Sequence, residues 1–297
     1  MSAAAQPPAP PPVWRGYDQA ALDAQYDNHA AAGPAGAVAL SRLRGLAHRN
    51  RDALPIRANL AYGPHPAMRL DLYPVEGVDG PQPCLVLVHG GGWTAGNAAG
   101  AAFWAARLRE WGVSHAVVSH ARRPEATLAE MAAQVAQAWR FLRHEAGPLG
   151  LDPARMHLAG LSSGATLAAL AAIALRDEAP PASLLLMGGM YEMEPVRLSF
   201  RNALLSLSPA DAAALSVLPR AALLPGPVLV AHGALETAEF RRQARDLAAR
   251  LGPRGTLMEI AGADHFSQAE ALLDPGTPLA QHLHALLTAK PAPESSP

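Results

Sequence analysis

The 297-residue sequence has a single cysteine, Cys84, so it can form neither an internal disulfide nor a zinc site built on several thiolates. Nothing in it calls for an oxidising compartment, and a cytoplasmic setting is expected. Charge of one sign is missing as well. The 24 basic and 25 acidic residues leave a formal −1, with no net field to draw the chain to nucleic acid or anionic lipid. Long apolar runs are also absent: residues 84–88 form a typical one, far short of the roughly 20 residues that a membrane-spanning helix needs. The amino terminus lacks the basic start and apolar run of a signal peptide. Neither a nucleic-acid nor a membrane partner is therefore expected. What the chain does have is bulk for a core. Half of its residues are hydrophobic, which argues against a disordered regulator and fits one large domain.

Residues 6–12 are mostly proline, which favours extended, solvated backbone, so residues 1–13 read as a poorly ordered tail, and KPAPESSP at residues 290–297 reads the same way. Between them, residues 14–289 read as one domain. Apolar residues at three- and four-residue spacing in residues 18–31 and 36–49 predict amphipathic helices, which together make a small N-terminal cap over residues 18–50. Two alternating stretches, residues 57–62 and 68–73, flank the turn-forming GPHP and predict a hairpin. From CLVLVH at residues 84–89 onward, apolar runs alternate with helical ones. Strands are expected at residues 84–89, 116–119, 156–159, 183–187, 227–231 and 256–260, and helices at 101–111, 128–144, 164–175, 238–251 and 279–287. This order describes an α/β fold with a mainly parallel central sheet and helices on both faces. Residues 191–224 break the rhythm with helical propensity and no clear strand, and are expected to form a lid or pocket wall over the sheet edge.

The most specific signal is Gly160-Leu161-Ser162-Ser163-Gly164, between an apolar strand and an alanine-rich helix. A strand–turn–helix elbow of the G-x-S-x-G type is too tight for side chains on its flanks and lifts the central serine hydroxyl out of the sheet. A blander reading makes Ser162 the N-cap of an ordinary helix. Upstream, His89-Gly90-Gly91-Gly92-Trp93 follows the first buried strand. Three consecutive glycines cost backbone entropy that an ordinary linker need not incur, and they let bare amides approach a developing oxyanion. The donors assigned are the backbone N–H groups of Gly91, Gly92 and Ser163, with His89 as a loop-organising residue.

A serine hydroxyl needs a base, normally histidine held in its working tautomer by a carboxylate. With the chain order serine, acid, histidine, four of the twelve histidines remain: His232, His265, His282 and His284. Only His265, in Gly262-Ala263-Asp264-His265-Phe266, sits in a loop after a strand; His282 and His284 read as helix surface and His232 as a strand end. For the acid, Glu236 follows the strand at residues 227–231. Glu239 falls in the first turn of the next helix, where the macrodipole alone favours a carboxylate. Asp264 adjoins His265 too closely to face its Nδ1, and Asp211 lies in the expected lid.

With HGGGW and GLSSG stand LDAQYDNHA (residues 22–30), RRPEATLAEM (122–131), GMYEMEPVRLSF (189–200) and LETAEFRRQ (235–243). Together these stretches resemble the α/β-hydrolase superfamily, and within it the bacterial arylformamidase (kynurenine formamidase) branch, with kinship to hormone-sensitive-lipase-type esterases. The resemblance implies the α/β-hydrolase fold, Ser162 as nucleophile, Glu236 before its EF pair as acid and His265 as base. It departs at Gly92, where many relatives carry tyrosine, and at Leu161 and Ser163 within the elbow. The implied reaction is hydrolysis of an aryl formamide such as N-formylkynurenine, releasing formate, with Trp93, Trp104 or Tyr191 as aromatic surface for the aryl amine; Trp93 and Tyr191 are the substrate-binding candidates kept. A short-chain esterase would use the same groups in a wider pocket, and a catalytically silent binding protein could keep the fold alone. Neither metal nor organic cofactor is expected, and the only protein partner expected is a second copy of the chain.

Overall fold

Eight strands pair into one sheet in a computed structural model that describes residues 11–289. Most of the first tail (residues 1–10) and all of the second (290–297) lie outside the described residues. The strands are β1 (Arg57–Ala61), β2 (Arg69–Tyr73), β3 (Gln82–Val88), β4 (Ser114–Val118), β5 (Leu151–Leu161), β6 (Leu184–Met187), β7 (Val228–Gly233) and β8 (Gly255–Ile260), in the spatial order β1-β2-β4-β3-β5-β6-β7-β8. β1 and β2 form the expected antiparallel hairpin and β2 runs antiparallel to β4; every other neighbour is parallel. β3 shows why its sequence does not alternate. Cys84, Val86 and Val88 enter the core on one face of the sheet while Leu85 and Leu87 enter the core on the other, so both faces demand apolar side chains.

Eleven α-helices accompany the sheet among the described residues: α1 (Gln19–Tyr26), α2 (Asn28–Ala53), α3 (Ala105–Glu110), α4 (Leu128–His144), α5 (Ala146–Leu149), α6 (Ser163–Leu175), α7 (Glu194–Leu198), α8 (Asn202–Leu205), α9 (Pro209–Leu215), α10 (Ala238–Leu251) and α11 (Pro278–Thr288). One face of the sheet packs against α1, α4, α6 and α10, through residues such as Leu22, Trp139, Leu167 and Phe240. The opposite face takes α2, α3 and α11, through Leu43, Leu108 and Leu283. Asn50 of α2 donates from its buried amide to the carbonyls of Ala102 (2.9 Å) and Phe103 (3.2 Å), tying the cap helix to the sheet layer.

The N-terminal cap departs from the spacing-based reading. The first helix stops at Tyr26 because Asp27 turns its carboxylate to the Ala30 amide (3.0 Å) and starts a new helix. That second helix is interrupted at Gly33 (φ 56°, ψ −152°), just ahead of Pro34, whose ring excludes the helical region for the residue before it. α4, by contrast, has the expected bounds, fixed by a reciprocal cap between Thr127 and Glu130. Residues 191–224 hold α7, α8, α9 and the 3₁₀ stretch Leu218–Leu223, with no strand. No helix among the described residues is long and apolar enough to cross a membrane.

Candidate active site

β5 runs into α6 through a single residue of unusual backbone. Ser162 has φ 56° and ψ −126°, a region costly for any residue with a Cβ, and its amide donates to Met187 O of β6 at 2.8 Å, which holds the turn to the sheet. The sharpness explains Gly160: a Cβ there would lie 2.4 Å from Ala165 Cα and 2.5 Å from Gly164 O. Ser162 stands at the N-cap position of α6 but makes no side-chain cap to it. Its hydroxyl faces the imidazole of His265 instead, with Oγ 2.8 Å from Nε2.

The carboxylate of Glu236 completes a chain of three. Its Oε1 lies 2.5 Å from His265 Nδ1, and its Oε2 accepts from the Gly233 amide at 3.0 Å. Both side chains are buried, Glu236 at 4% and His265 at 7% exposure. Burial removes competing water and strengthens the charge–dipole contact between them. Local bonds hold the imidazole in place. Asp264 Oδ1 accepts from the amides of Phe266 and Ser267, both at 2.8 Å, and Gln268 Nε2 donates to His265 O at 2.9 Å. The rings of Phe240 and Phe266 meet the imidazole edge-on, with centroids 4.9 and 5.3 Å away. A hydroxyl in this chain can pass its proton to Nε2 while the carboxylate keeps the Nδ1 proton in place.

The glycine loop borders the elbow. A Cβ on Gly90 would come within 3.1 Å of Ser162 Cβ, and Gly91, at φ 129°, packs so tightly that its Cβ would meet Ala95 O at 2.1 Å. Among the described residues, the amides of Gly91, Gly92 and Ser163 donate to no protein acceptor. Donors left open on the elbow and on the loop that borders it can receive an oxyanion. His89 anchors the loop: its Nδ1 lies 2.7 Å from Gly90 O, and its ring stacks on His120 at 4.8 Å with planes 9° apart. Burial, then the neighbouring His120, pushes the His89 imidazole down to about 3, and burial lowers His120 as well.

The competing candidates are occupied elsewhere. Glu239 forms a bidentate pair with Arg242 (2.9 and 2.7 Å), which also holds Glu192 and Asp246. Asp211 caps α9 through Ser208. His232 is fully buried at the end of β7 with Nδ1 3.0 Å from Gly233 O, and His282 and His284 lie on α11. The substrate-contact assignments are corrected. Trp93 and Tyr191 are 1% and 0% exposed, within the hydrophobic core, and Trp104 is likewise enclosed, donating to Ala269 O at 2.8 Å; these rings back the site from inside the protein. Burial, and then the Glu236 charge, raises the Tyr191 phenol far above its ordinary value, so it stays protonated. Three residues near the site carried no sequence signal that singled them out: Gln268, Gln243, whose Oε1 accepts from the amides of Tyr191 (2.6 Å) and Glu192 (2.8 Å), and Arg201, which donates from Nε (3.0 Å) and Nη2 (2.6 Å) to Tyr26 O. A cavity of about 540 Å³ is lined by Asp23, Ala24, Asp27, Ala30, Ala31 and Phe200, and includes none of the three chain-forming side chains.

Comparison with known proteins places this geometry in context. The BD-FAE family model matches residues 70–190, which include the glycine loop and the elbow. An isoprenylcysteine alpha-carbonyl methylesterase of Arabidopsis thaliana is 34% identical over 116 residues, 39% of this chain; the match spans only 27% of the plant protein. A kynurenine formamidase of Salmo salar is 25% identical over 241 residues, covering 76% of this chain and 80% of that protein. Among solved structures, a candidate thioesterase from Silicibacter sp. superposes with a TM-score of 0.77 at 26% identity, over 90% of this chain and 99% of that one. The sheet order, the elbow and these likenesses agree, and the chain belongs to the α/β-hydrolase superfamily.

Proposed function

We propose that the chain is a serine hydrolase that cleaves aryl formamides such as N-formylkynurenine, releasing formate and the amine. The observation that carries the reading is the continuous contact from Ser162 Oγ through His265 to Glu236. In this mechanism His265 Nε2 takes the Ser162 proton as Oγ attacks the carbonyl carbon. The amides of Gly91, Gly92 and Ser163 bind the resulting oxyanion, and such donors lower the barrier by roughly 3–4 kcal/mol each. His265 then gives its proton to the leaving nitrogen, and water, deprotonated by the same imidazole, releases formate from the formyl-enzyme. The formamidase likeness supports the choice of bond because it extends over most of both chains.

A second reading, a short-acyl esterase working with the same groups, is supported by the methylesterase likeness over 116 residues. Parallel turnover of N-formylkynurenine and a p-nitrophenyl ester series separates the two. Faster turnover of the formamide supports the first reading, and comparable or better turnover of the butyrate ester supports the second. In either, Ser162→Ala lowers kcat by at least about a thousandfold. Retained turnover in that variant removes both. We propose the cytoplasm as its setting, and residues 191–224 as the wall of the substrate pocket.

A further inference from the structure

Arg201 lies between α7 and α8 and is half-buried against the N-terminal cap. Its Nε and Nη2 each donate one hydrogen bond to the same neutral acceptor, the backbone carbonyl of Tyr26. Among the described residues no carboxylate comes within 4.0 Å of it. Asp27 is the nearest acidic influence, but its Oδ1 caps α2 at Ala30. Removing a guanidinium from water without an anionic partner is costly, and burial lowers its pKa accordingly. A structural tie to Tyr26 would explain two of the three nitrogens. The third, Nη1, has no acceptor among the described residues and points at the glycine loop: a Cβ on Gly92 would stand 3.1 Å from it. Any side chain at position 92 would crowd this nitrogen, so the bare glycine keeps a cation open beside the loop. Next to Arg201, Phe200 stacks on the guanidinium at 5.6 Å and is itself 47% exposed, leaving ring surface on which an aryl group can pack.

We propose that Arg201 is a specificity-determining residue: its free Nη1 binds a carboxylate on the substrate, so the preferred substrates are carboxylate-bearing aryl amides or esters held with the aryl group toward Phe200. This rests on the serine-hydrolase reading of the same site. A guanidinium suits the task because its orientation is already fixed by Tyr26 O, so little side-chain freedom is lost on binding.

The test compares substrates that differ by one carboxylate, in two chemistries: formanilide against 3-formamidobenzoate, and phenyl acetate against 3-acetoxybenzoate. The full-length protein is expected to favour the anionic member by about tenfold or more in kcat/KM, mainly through KM. Arg201→Gln, which retains a donor toward Tyr26 O, should bring the ratio close to that of the uncatalysed pair. An absent preference in the unmodified protein, or a ratio unchanged in Arg201→Gln, overturns the proposal. If the formamides are inert and the esters react, the formamidase reading fails while the ester ratio still decides the role of Arg201. Should the variant not fold, benzoate and benzamide are titrated calorimetrically against the unmodified protein at low and high salt. Benzoate binding about tenfold tighter, weakening as salt rises, supports the proposal; equal binding overturns it.

Discussion

The Leu235 amide donates to Ala263 O at 2.9 Å, and this one bond ties the loop that carries Glu236 to the loop that carries His265. A second bond, from the Ala234 amide to Ile260 O at 3.0 Å, secures the same pair of loops. The acid and the base, 29 residues apart in sequence, thus meet through backbone contacts rather than through free side-chain motion. Pre-organisation of this kind is what a proton relay needs, because the relay loses rate when its partners wander.

Glu236→Gln is expected to lower kcat by roughly 10³–10⁴-fold, since an amide no longer enforces the tautomer that presents a basic Nε2 to Ser162. Glu239→Gln is expected to lower thermal stability while leaving kcat within a few-fold, because Glu239 serves the Arg242 cluster. Steady-state kinetics of both variants checks the assignment. A larger kcat loss in Glu239→Gln would reverse it.

Gly160→Ala places a methyl 2.4 Å from Ala165 Cα, against backbone that cannot yield without opening the elbow. The expected cost is about 1–3 kcal/mol or more in urea unfolding. Gly147→Ala is the matched control: nothing lies within 4 Å of its added Cβ, and α5 there gains helix propensity. Its stability should hold or rise slightly.

Gln243→Leu removes the acceptor for the buried Tyr191 amide and the half-buried Glu192 amide, and the donor to Tyr26 Oη at 3.0 Å. Two amides left unpaired should cost at least about 2 kcal/mol, read as a fall in the urea midpoint. A midpoint unchanged by the substitution would show that residues 191–192 find other partners.

Burial pushes four imidazoles down: His89 to about 3, His115 and His157 to about 4, and His120 in the same direction. A depressed histidine binds its proton more readily in the unfolded chain. The unfolded state therefore takes up protons between its own pKa of about 6.5 and the folded values, and stability rises with pH across that window. The contribution is complete above about pH 6.5 and is lost progressively as the pH falls toward 4 and then 3. Urea midpoints measured from pH 7.5 down to 4 should decline, and His115→Gln should flatten the decline. A profile of unchanged slope in that variant would contradict the buried-neutral state of His115.

Much of this site is legible in the sequence because of sheet direction. In a parallel sheet the loops after successive strands emerge at one edge, so Ser162 after β5, Glu236 after β7 and His265 after β8 share that edge by topology alone. The bounds of α4 were readable for a local reason, the Thr127/Glu130 cap. The break at Asp27 was not, since an aspartate inside an apolar spacing pattern reads equally well as helix surface or as a new N-cap. Trp93 and Tyr191 misled because proximity to a motif says nothing about which way a ring points, and both rings turn into the core. Arg201 and Gln243 act across separations of 175 and 52 residues, where no local periodicity carries a signal.

The central claim is that the Ser162 hydroxyl is activated by His265. Its most direct test is mass-spectrometric location of the adduct formed when the folded protein meets a fluorophosphonate probe. The expected result is one adduct per chain on the peptide containing Ser162, absent in Ser162→Ala and slowed by about a thousandfold or more in His265→Ala. Folded protein that stays unlabelled, or that carries the adduct on another residue, would contradict it.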